Sequence, residues 1–391
     1  MRHNKFILLI TFFLILISVT GCSNSTKLNN TPVEDAEKPT ETVSVNQNSV
    51  LDMSDYTEKV SDIKALKYTL PTDGLVDGYE DESKYFPETG CVVVTDDTIY
   101  YTLEFYEEMA QFPTSGSYVV KYERASGNAS VIYQSESNYM INKMRFAGDS
   151  LYWVMNSGFG EWKMMRCDSQ DTVSILSASD SNKVYSGDTT FDVASNYVLW
   201  NEFTETNLFC TNVYSIKTGK QISFDQNVID INSPYFLPDI NEDKILLPKN
   251  YTTGVVTVYD MSSETEIKEV RLGNKIAYAY LINDNTIAWG TDYSYSDIFI
   301  YDITTGTSQK ISSSPGDYRL FSAKGNIVIL DKPKKLDAEE RDCLIINPIS
   351  KQIIKMSIPY PYTLFNVHND YIYYVDGNEV YVVDISDVIL N

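Results

Sequence analysis

Beyond residue 90 large apolar positions alternate with other residues in short runs, and the runs return seven times. One recurring piece is a turn residue followed by an alternating stretch. Its first three copies read Asp97-Thr98-Ile99-Tyr100-Tyr101, Asp149-Ser150-Leu151-Tyr152-Trp153 and Asn196-Tyr197-Val198-Leu199-Trp200. The other four are Asp243-Lys244-Ile245-Leu246-Leu247, Asn285-Thr286-Ile287-Ala288-Trp289, Gly325-Asn326-Ile327-Val328-Ile329 and Asp370-Tyr371-Ile372-Tyr373-Tyr374. A period of two puts the third and fifth residues of each copy on one face of a strand. A second piece follows each first one: an apolar strand that runs into an acidic or small polar residue and then a turn. Ile298-Phe299-Ile300-Tyr301-Asp302-Ile303-Thr304-Thr305-Gly306 is its clearest copy.

The polar residue at the end of this second piece falls at positions 123, 168, 215, 260, 302, 347 and 384, at intervals of 45, 47, 45, 42, 45 and 37. Short strands with turn signals at this period predict an all-β fold, a seven-bladed β-propeller of four-stranded antiparallel blades. A single such sheet cannot bury both faces, and stacking around an axis gives each blade two neighbours. In most units the tail beyond the turn supplies an outer strand, as at 129–133, 267–270 and 353–358. The seventh unit has almost no tail, while the strand-like stretch 63–70 has no unit of its own. It is therefore expected to close the ring as the outer strand of the last blade, hiding two sheet edges.

The first 22 residues read as an address. Arg2 and Lys5 precede an apolar run too short to span a bilayer, followed by small residues. Val19-Thr20-Gly21-Cys22 resembles the bacterial lipobox, and that resemblance implies lipidation of Cys22 and an acyl anchor in the membrane. The polar, Pro-containing stretch that follows cannot offset the entropy of ordering itself. The expected domains are a signal peptide at 1–21, a lipidated Cys22 with a tether at 22–60, and the propeller at 61–391. Cys91, Cys167, Cys210 and Cys343 fall in strand-like segments, where buried free thiols are expected; Cys167 with Cys210 is the one pair a disulfide would join.

Over residues 61–391 the chain resembles bacterial surface-lipoprotein β-propellers, of the broad class with WD-repeat-like and YWTD-like folds. The resemblance rests on Ile99-Tyr100-Tyr101, Tyr381-Val382-Val383-Asp384 and Tyr301-Asp302-Ile303-Thr304-Thr305-Gly306. It implies architecture alone, because the Gly-His and Trp-Asp pairs of WD repeats, the Gly-Gly pairs of kelch repeats and the sialidase box are absent. No catalytic residue is carried over, and a propeller hosts many functions.

Composition narrows the chemistry. The chain has 54 acidic and 31 basic side chains and a net charge of −23, which argues against nucleic acid as a partner. With only His3 and His368, no His-rich metal site is expected, and no cofactor is implied. Trp153, Trp200 and Trp289 share a repeat column with Tyr101, Leu247, Ile329 and Tyr374, so they read as packing between blades. Trp162 stands outside that column and is the tryptophan singled out as a ligand contact. The column Glu123, Asp168, Asp260, Asp302 and Asp384 reads as turn residues bonding backbone N–H groups rather than as a cation ring. Innermost strands border the central channel, which makes Arg145, Asp192, Arg319, Asn366 and His368 the candidate ligand-binding residues there. The rival reading of the two arginines is a salt bridge to a channel carboxylate. Tyrosines at 139, 185, 235, 278, 280, 293, 295, 318, 360 and 362 fall in expected loops, where they suit peptide or glycan recognition or simple packing.

These features are read together as a monomeric, membrane-anchored, extracytoplasmic lipoprotein. Its non-catalytic propeller is expected to bind a protein, peptide or glycan ligand at the cell surface. The alternatives are a propeller-type polysaccharide lyase or glycosidase, and an envelope assembly or sensing factor.

Overall fold

The computed structural model describes residues 50–51, 57–58, 65–77, 85–107, 116–157, 161–179, 191–205, 208–228, 238–250, 254–273, 276–291, 297–311, 319–324, 327–332, 340–359, 364–368 and 371–386. Among them the regular elements are all strands, grouped in seven antiparallel blades. From the axis outwards, blade 1 is Tyr85–Val94, Thr98–Glu107, Ser117–Glu123 and Ala129–Gln134, and blade 2 is Tyr139–Ala147, Ser150–Ser157, Trp162–Cys167 and Val173–Ala178. Blade 3 is Phe191–Ala194, Tyr197–Glu205, Leu208–Ser215 and Gln221–Val228; blade 4 is Asp239–Asn241, Lys244–Asn250, Val255–Asp260 and Thr265–Arg271. Blade 5 is Tyr278–Asn283, Thr286–Gly290, Ile298–Asp302 and Thr307–Ile311, followed by blade 6 with Arg319–Lys324, Ile327–Lys332, Glu340–Asn347 and Gln352–Pro359.

Blade 7 is made from both ends of the propeller. Leu364–His368, Tyr371–Asp376 and Glu379–Asp384 take their outer partner from Leu66–Thr69, which pairs antiparallel with Leu66 opposite Val382 and Thr69 opposite Glu379. The seventh unit lacked an outer strand of its own, and the orphan stretch supplies it as expected. The seam is sealed on both sides. Leu70 N–H donates to Asn378 O at 2.8 Å, and Tyr373 Oη donates to Val92 O of blade 1 at 3.0 Å. The Arg124 guanidinium lies 5.2 Å from the ring centres of both Tyr68 and Tyr371.

The core is divided as the repeat demands. Seven apolar clusters occupy the seven blade junctions, one each, including the junction of blade 7 with blade 1. Trp153, Trp200 and Trp289 are fully buried in these clusters, so their column is packing. A blade contributes one residue parity to the cluster on each side, which is why the strands are apolar at nearly every position rather than half-polar. Thus Leu151 and Trp153 face blade 1 while Tyr152 and Val154 face blade 3.

The turns between third and fourth strands explain the polar column. Asp168 Oδ1 accepts from the N–H groups of Gln170 (2.9 Å) and Thr172 (3.0 Å), and Asp260 Oδ1 accepts from those of Ser262 (2.8 Å) and Ser263 (3.1 Å). Asp302, Asn347 and Asp384 do the same for Thr305, Ile349 and Ser386, while Ser215 Oγ accepts from Thr218 N–H. Each side chain ties down its own turn. The chain then needs a left-handed residue to turn back: Gly127, Gly219 and Gly306 supply it at φ of 74°, 69° and 69°, and Glu264 and Lys351 accept it at 54°.

One feature differs from the sequence expectation. The stretch 22–60 was expected to be tether throughout, yet Val50–Leu51 pairs in parallel with Lys310–Ile311 on the outer edge of blade 5, and Thr57–Glu58 pairs with Gln352–Ile353 on blade 6. The open backbone groups of an outer strand accept any extended segment that passes, so Val50–Leu51 and Thr57–Glu58 alike are held there through the main chain. The cysteines match the expectation of free thiols: Cys91, Cys167, Cys210 and Cys343 are all free, so Cys167 and Cys210 form no disulfide. Cys167 packs in the cluster between blades 1 and 2, whereas Cys210 belongs to the third strand of blade 3 and donates to Phe224 O.

Candidate functional site

Register places the innermost strands on common tiers. In blades 2, 3, 4 and 7 the residues opposite Tyr152, Leu199, Leu246 and Tyr373 are Arg145, Asp192, Asp239 and Asn366. All four stand two residues before the end of their strands, so the sequence candidates Arg145, Asp192 and Asn366 share one level around the axis. Arg145 Nε lies 3.4 Å from Asp192 Oδ1, an ion pair from blade 2 to blade 3. Asp239 Oδ2 accepts from Leu281 N–H of blade 5 at 2.6 Å. This tier clamps neighbouring blades, and for Arg145 the salt-bridge reading holds. The pair is partly exposed, with a quarter of the Arg145 side chain open.

The remaining candidates separate. Arg319 begins its strand opposite Asp331, near the opposite face, and His368 ends its strand opposite Tyr371 at the turn. For Arg319, Asn366 and His368 the backbone alone is described. Trp162 is 5% exposed and packs with Tyr152, Val154, Phe191 and Trp200 between blades 2 and 3. The expectation that it contacts ligand is corrected by this burial. Its partner in the alternation, Met164, lies in the same cluster, and the Trp162/Met164 spacing of two was the available signal.

Tyr139 and Tyr278 are also buried, and Tyr139 Oη donates to Glu161 at 3.0 Å while Lys163 stands 4.4 Å from its ring. Tyr280 stacks on Tyr278. The tyrosines at 185, 235, 293, 295, 318, 360 and 362 lie outside the described residues, as does Cys22.

A cleft that sequence reading missed opens on the face of the short turns. It spans blades 4, 5 and 6, has a volume of about 510 Å³, and is lined by Asn241, Glu242, Ile282, Asn283, Asp284, Asn285, Thr286 and Ile349. The first-to-second-strand turns of blades 4 and 5 form its walls, and Ile349 stands exposed on its rim. Asn241 is 5% exposed, and its Nδ2 donates to Leu281 O (3.0 Å) and Ile282 O (2.6 Å) of blade 5. Both amide protons are thus used, which fixes which end of the amide is nitrogen. Glu242 accepts from Ser195 Oγ at 2.9 Å, and Asp284 pairs with Lys244 at 3.3 Å. Glu242 holds a φ of 47° at the turn position where blade 2 has Gly148 at 60°. The sequence offered no clear signal: Ala147 and Ala194 end the innermost strands of blades 2 and 3, but Asn241, Asn283, Lys324 and His368 end those of blades 4 to 7, so the position has no fixed residue type.

The molecule is, by its fold, a seven-bladed β-propeller. No protein-family model and no curated relative matches the chain. Among solved structures it is similar to the computationally designed Ika8 protein, with 11% identity over 77% of this chain and 98% of that one and a TM-score of 0.46. A chain of the Mitotic Checkpoint Complex matches with 10% identity over 94% and 99% of the two chains and a TM-score of 0.47, and U3-55K with 11% over 78% and 99% and a TM-score of 0.47.

Proposed function

We propose that this protein is a membrane-tethered, extracytoplasmic binding propeller that captures a protein, peptide or glycan at the cell surface through its turn face. The observation that carries the reading is the open cleft between the hairpins of blades 4 and 5 and the turn of blade 6, set on a ring whose every junction is packed. A rigid frame with an open polar cleft binds without paying for large rearrangement. Two contacts of the axial tier, Arg145 with Asp192 and Asp239 with Leu281, tie blade 2 to 3 and blade 4 to 5 while the cleft is left accessible. The basic, apolar and small-residue order of residues 1–22 supports tethering through Cys22.

The test uses the full chain and its Glu242→Arg variant on arrays of defined glycans and defined peptides. A ligand retained by the wild type and lost in the variant supports the reading. Turnover of a polysaccharide, or binding that Glu242→Arg leaves intact, refutes it. Tethering is tested separately: Cys22→Ser in a bacterial host is expected to move the protein from the membrane fraction into the soluble fraction, and retention refutes a thioether anchor.

A further inference from the structure

The cleft has a chemical bias. Nδ2 of Asn241 spends both protons on carbonyls of blade 5, and its Oδ1 accepts no hydrogen bond among the described residues. Asn241 is 5% exposed and lines the cleft, and with its amide nitrogen held by blade 5 its orientation is fixed and its oxygen is left to accept from an occupant. The groups around it are of the same kind. The exposed carboxylates of Glu242 and Asp284 line the cleft, and among the described residues no lysine or arginine lines it. Lys244 reaches only one oxygen of Asp284, at 3.3 Å. The rim residue Ile349 gives an apolar edge beside these acceptors.

We propose that the cleft between blades 4, 5 and 6 takes the basic side chain of a peptide segment, an arginine or lysine, from a cationic protein partner. This rests on the binding reading above and names the ligand class for the same site. The occupant must bring donors and positive charge, because the wall offers acceptors and negative charge. A guanidinium supplies five N–H donors in a planar fork, enough to meet Asn241 Oδ1 and the Glu242 carboxylate together. Its aliphatic stem would lie on Ile349. The cavity, at about 510 Å³, is in the size range of small-ligand sites and admits such a side chain with its flanking backbone. The net charge of −23 draws a cationic segment toward the surface before contact. A neutral saccharide would use the acceptors but not the charge, so the peptide is favoured.

The experiment measures fluorescence anisotropy of a labelled Gly-Arg-Ser-Arg-Gly peptide against the full chain at near-physiological salt. The control peptide carries citrulline in place of both arginines. The arginine peptide is expected to bind and the citrulline peptide to bind at least about tenfold more weakly, the scale set by losing one charge-assisted hydrogen bond. Glu242→Gln and Asp284→Asn, both at exposed turn positions, should each weaken it by about five- to tenfold. Glu264→Gln, exposed on the same face outside the cleft, should leave it unchanged. Equal weakening by all three variants would mean diffuse charge attraction and overturn the proposal, as would absence of binding. Binding of a neutral chitopentaose that Glu242→Gln abolishes would overturn the basic-peptide assignment while leaving the binding function standing. Failure of the glycan and peptide arrays as well would remove both.

Discussion

One guanidinium adds to the strand pairing and apolar packing that close the ring, and the structure allows its contribution to be worked out. Arg124 Nη1 donates to Thr95 O at 2.7 Å and to Asp96 O at 2.8 Å, and Nε donates to Tyr68 Oη at 3.1 Å. Its plane lies against Tyr68 on the closing strand and Tyr371 in blade 7. Arg124→Met keeps the stem and removes the charge, so no large cavity confuses the result. The two carbonyls sit near solvent and regain water, which discounts each hydrogen bond to about 0.5 kcal/mol. Two partly exposed cation–π contacts add about 0.5 kcal/mol each. With about 0.5 kcal/mol more for the bond to Tyr68 Oη, the loss sums to about 2.5 kcal/mol. For a propeller of this size the unfolding entropy is roughly 0.7 kcal/mol/K, so Tm should fall by about 3–4 °C. Differential scanning calorimetry reads this directly, with Arg124→Lys falling between wild type and Met because it keeps the charge but not the fork. A double-mutant cycle with Tyr68→Phe should show coupling between the two sites. A Tm change below about 1 °C for Arg124→Met, set against that expected shift, would refute the claim that this residue latches the ring.

Three further outcomes are expected. Trp162→Ala should cost about 3–5 kcal/mol of stability, as a buried inter-blade residue does; a soluble, fully stable variant would return it to the surface. Intact mass without reductant should show Cys91, Cys167, Cys210 and Cys343 all reduced, and native alkylation near pH 8 should be slow, since burial pushes the Cys91 thiol up to about 12 and that of Cys167 up to about 11. Fast labelling of either thiol in the folded protein would contradict the packing. In acid, the turn aspartates should matter: the backbone N–H of Thr172 holds Asp168, and the hydroxyl of Ser262 holds Asp260, below the ordinary 3.8. Their folded values are depressed, so the stability they add is present above the unfolded value and is lost as pH falls below about 4. Asp260→Ala should therefore lower Tm more at neutral pH than near pH 2.5, and an equal drop at both would refute the charge argument.

The fold was legible because every blade junction repeats one packing problem. The alternating columns ending at Trp153, Trp200 and Trp289 announced strands buried on both faces, and the missing tail of the seventh unit announced a strand borrowed from 63–70. The polar column was legible for a local reason, since Asp168, Asp260 and Asp302 bond backbone within a few residues of themselves. Trp162 was misread because its face depends on the strand's register with Asn156, and register follows from pairing rather than from the residue alone. The strap at 50–51 and 57–58 gave no signal at all, because it is held through main-chain groups that every residue carries.

The same logic explains why the cleft escaped notice. In a repeat fold a residue that obeys its column is accounted for by packing, and the eye passes to rare residues such as Trp162 and His368. Asn241 is neither rare nor alone in its type. It differs from Ala147 and Ala194 at the matching place in blades 2 and 3, but Lys324 and His368 end the strands of blades 6 and 7, so the column gives little contrast. A buried amide in place of such an alanine loses hydrophobic burial, and its two bonds to blade 5 recover part of the loss while leaving the oxygen unused. A pure packing role would be served as well by alanine. A buried polar side chain at a strand end is therefore the mark that matters, and here it is Asn241, whose hairpin borders one cavity with the hairpin of Asn283.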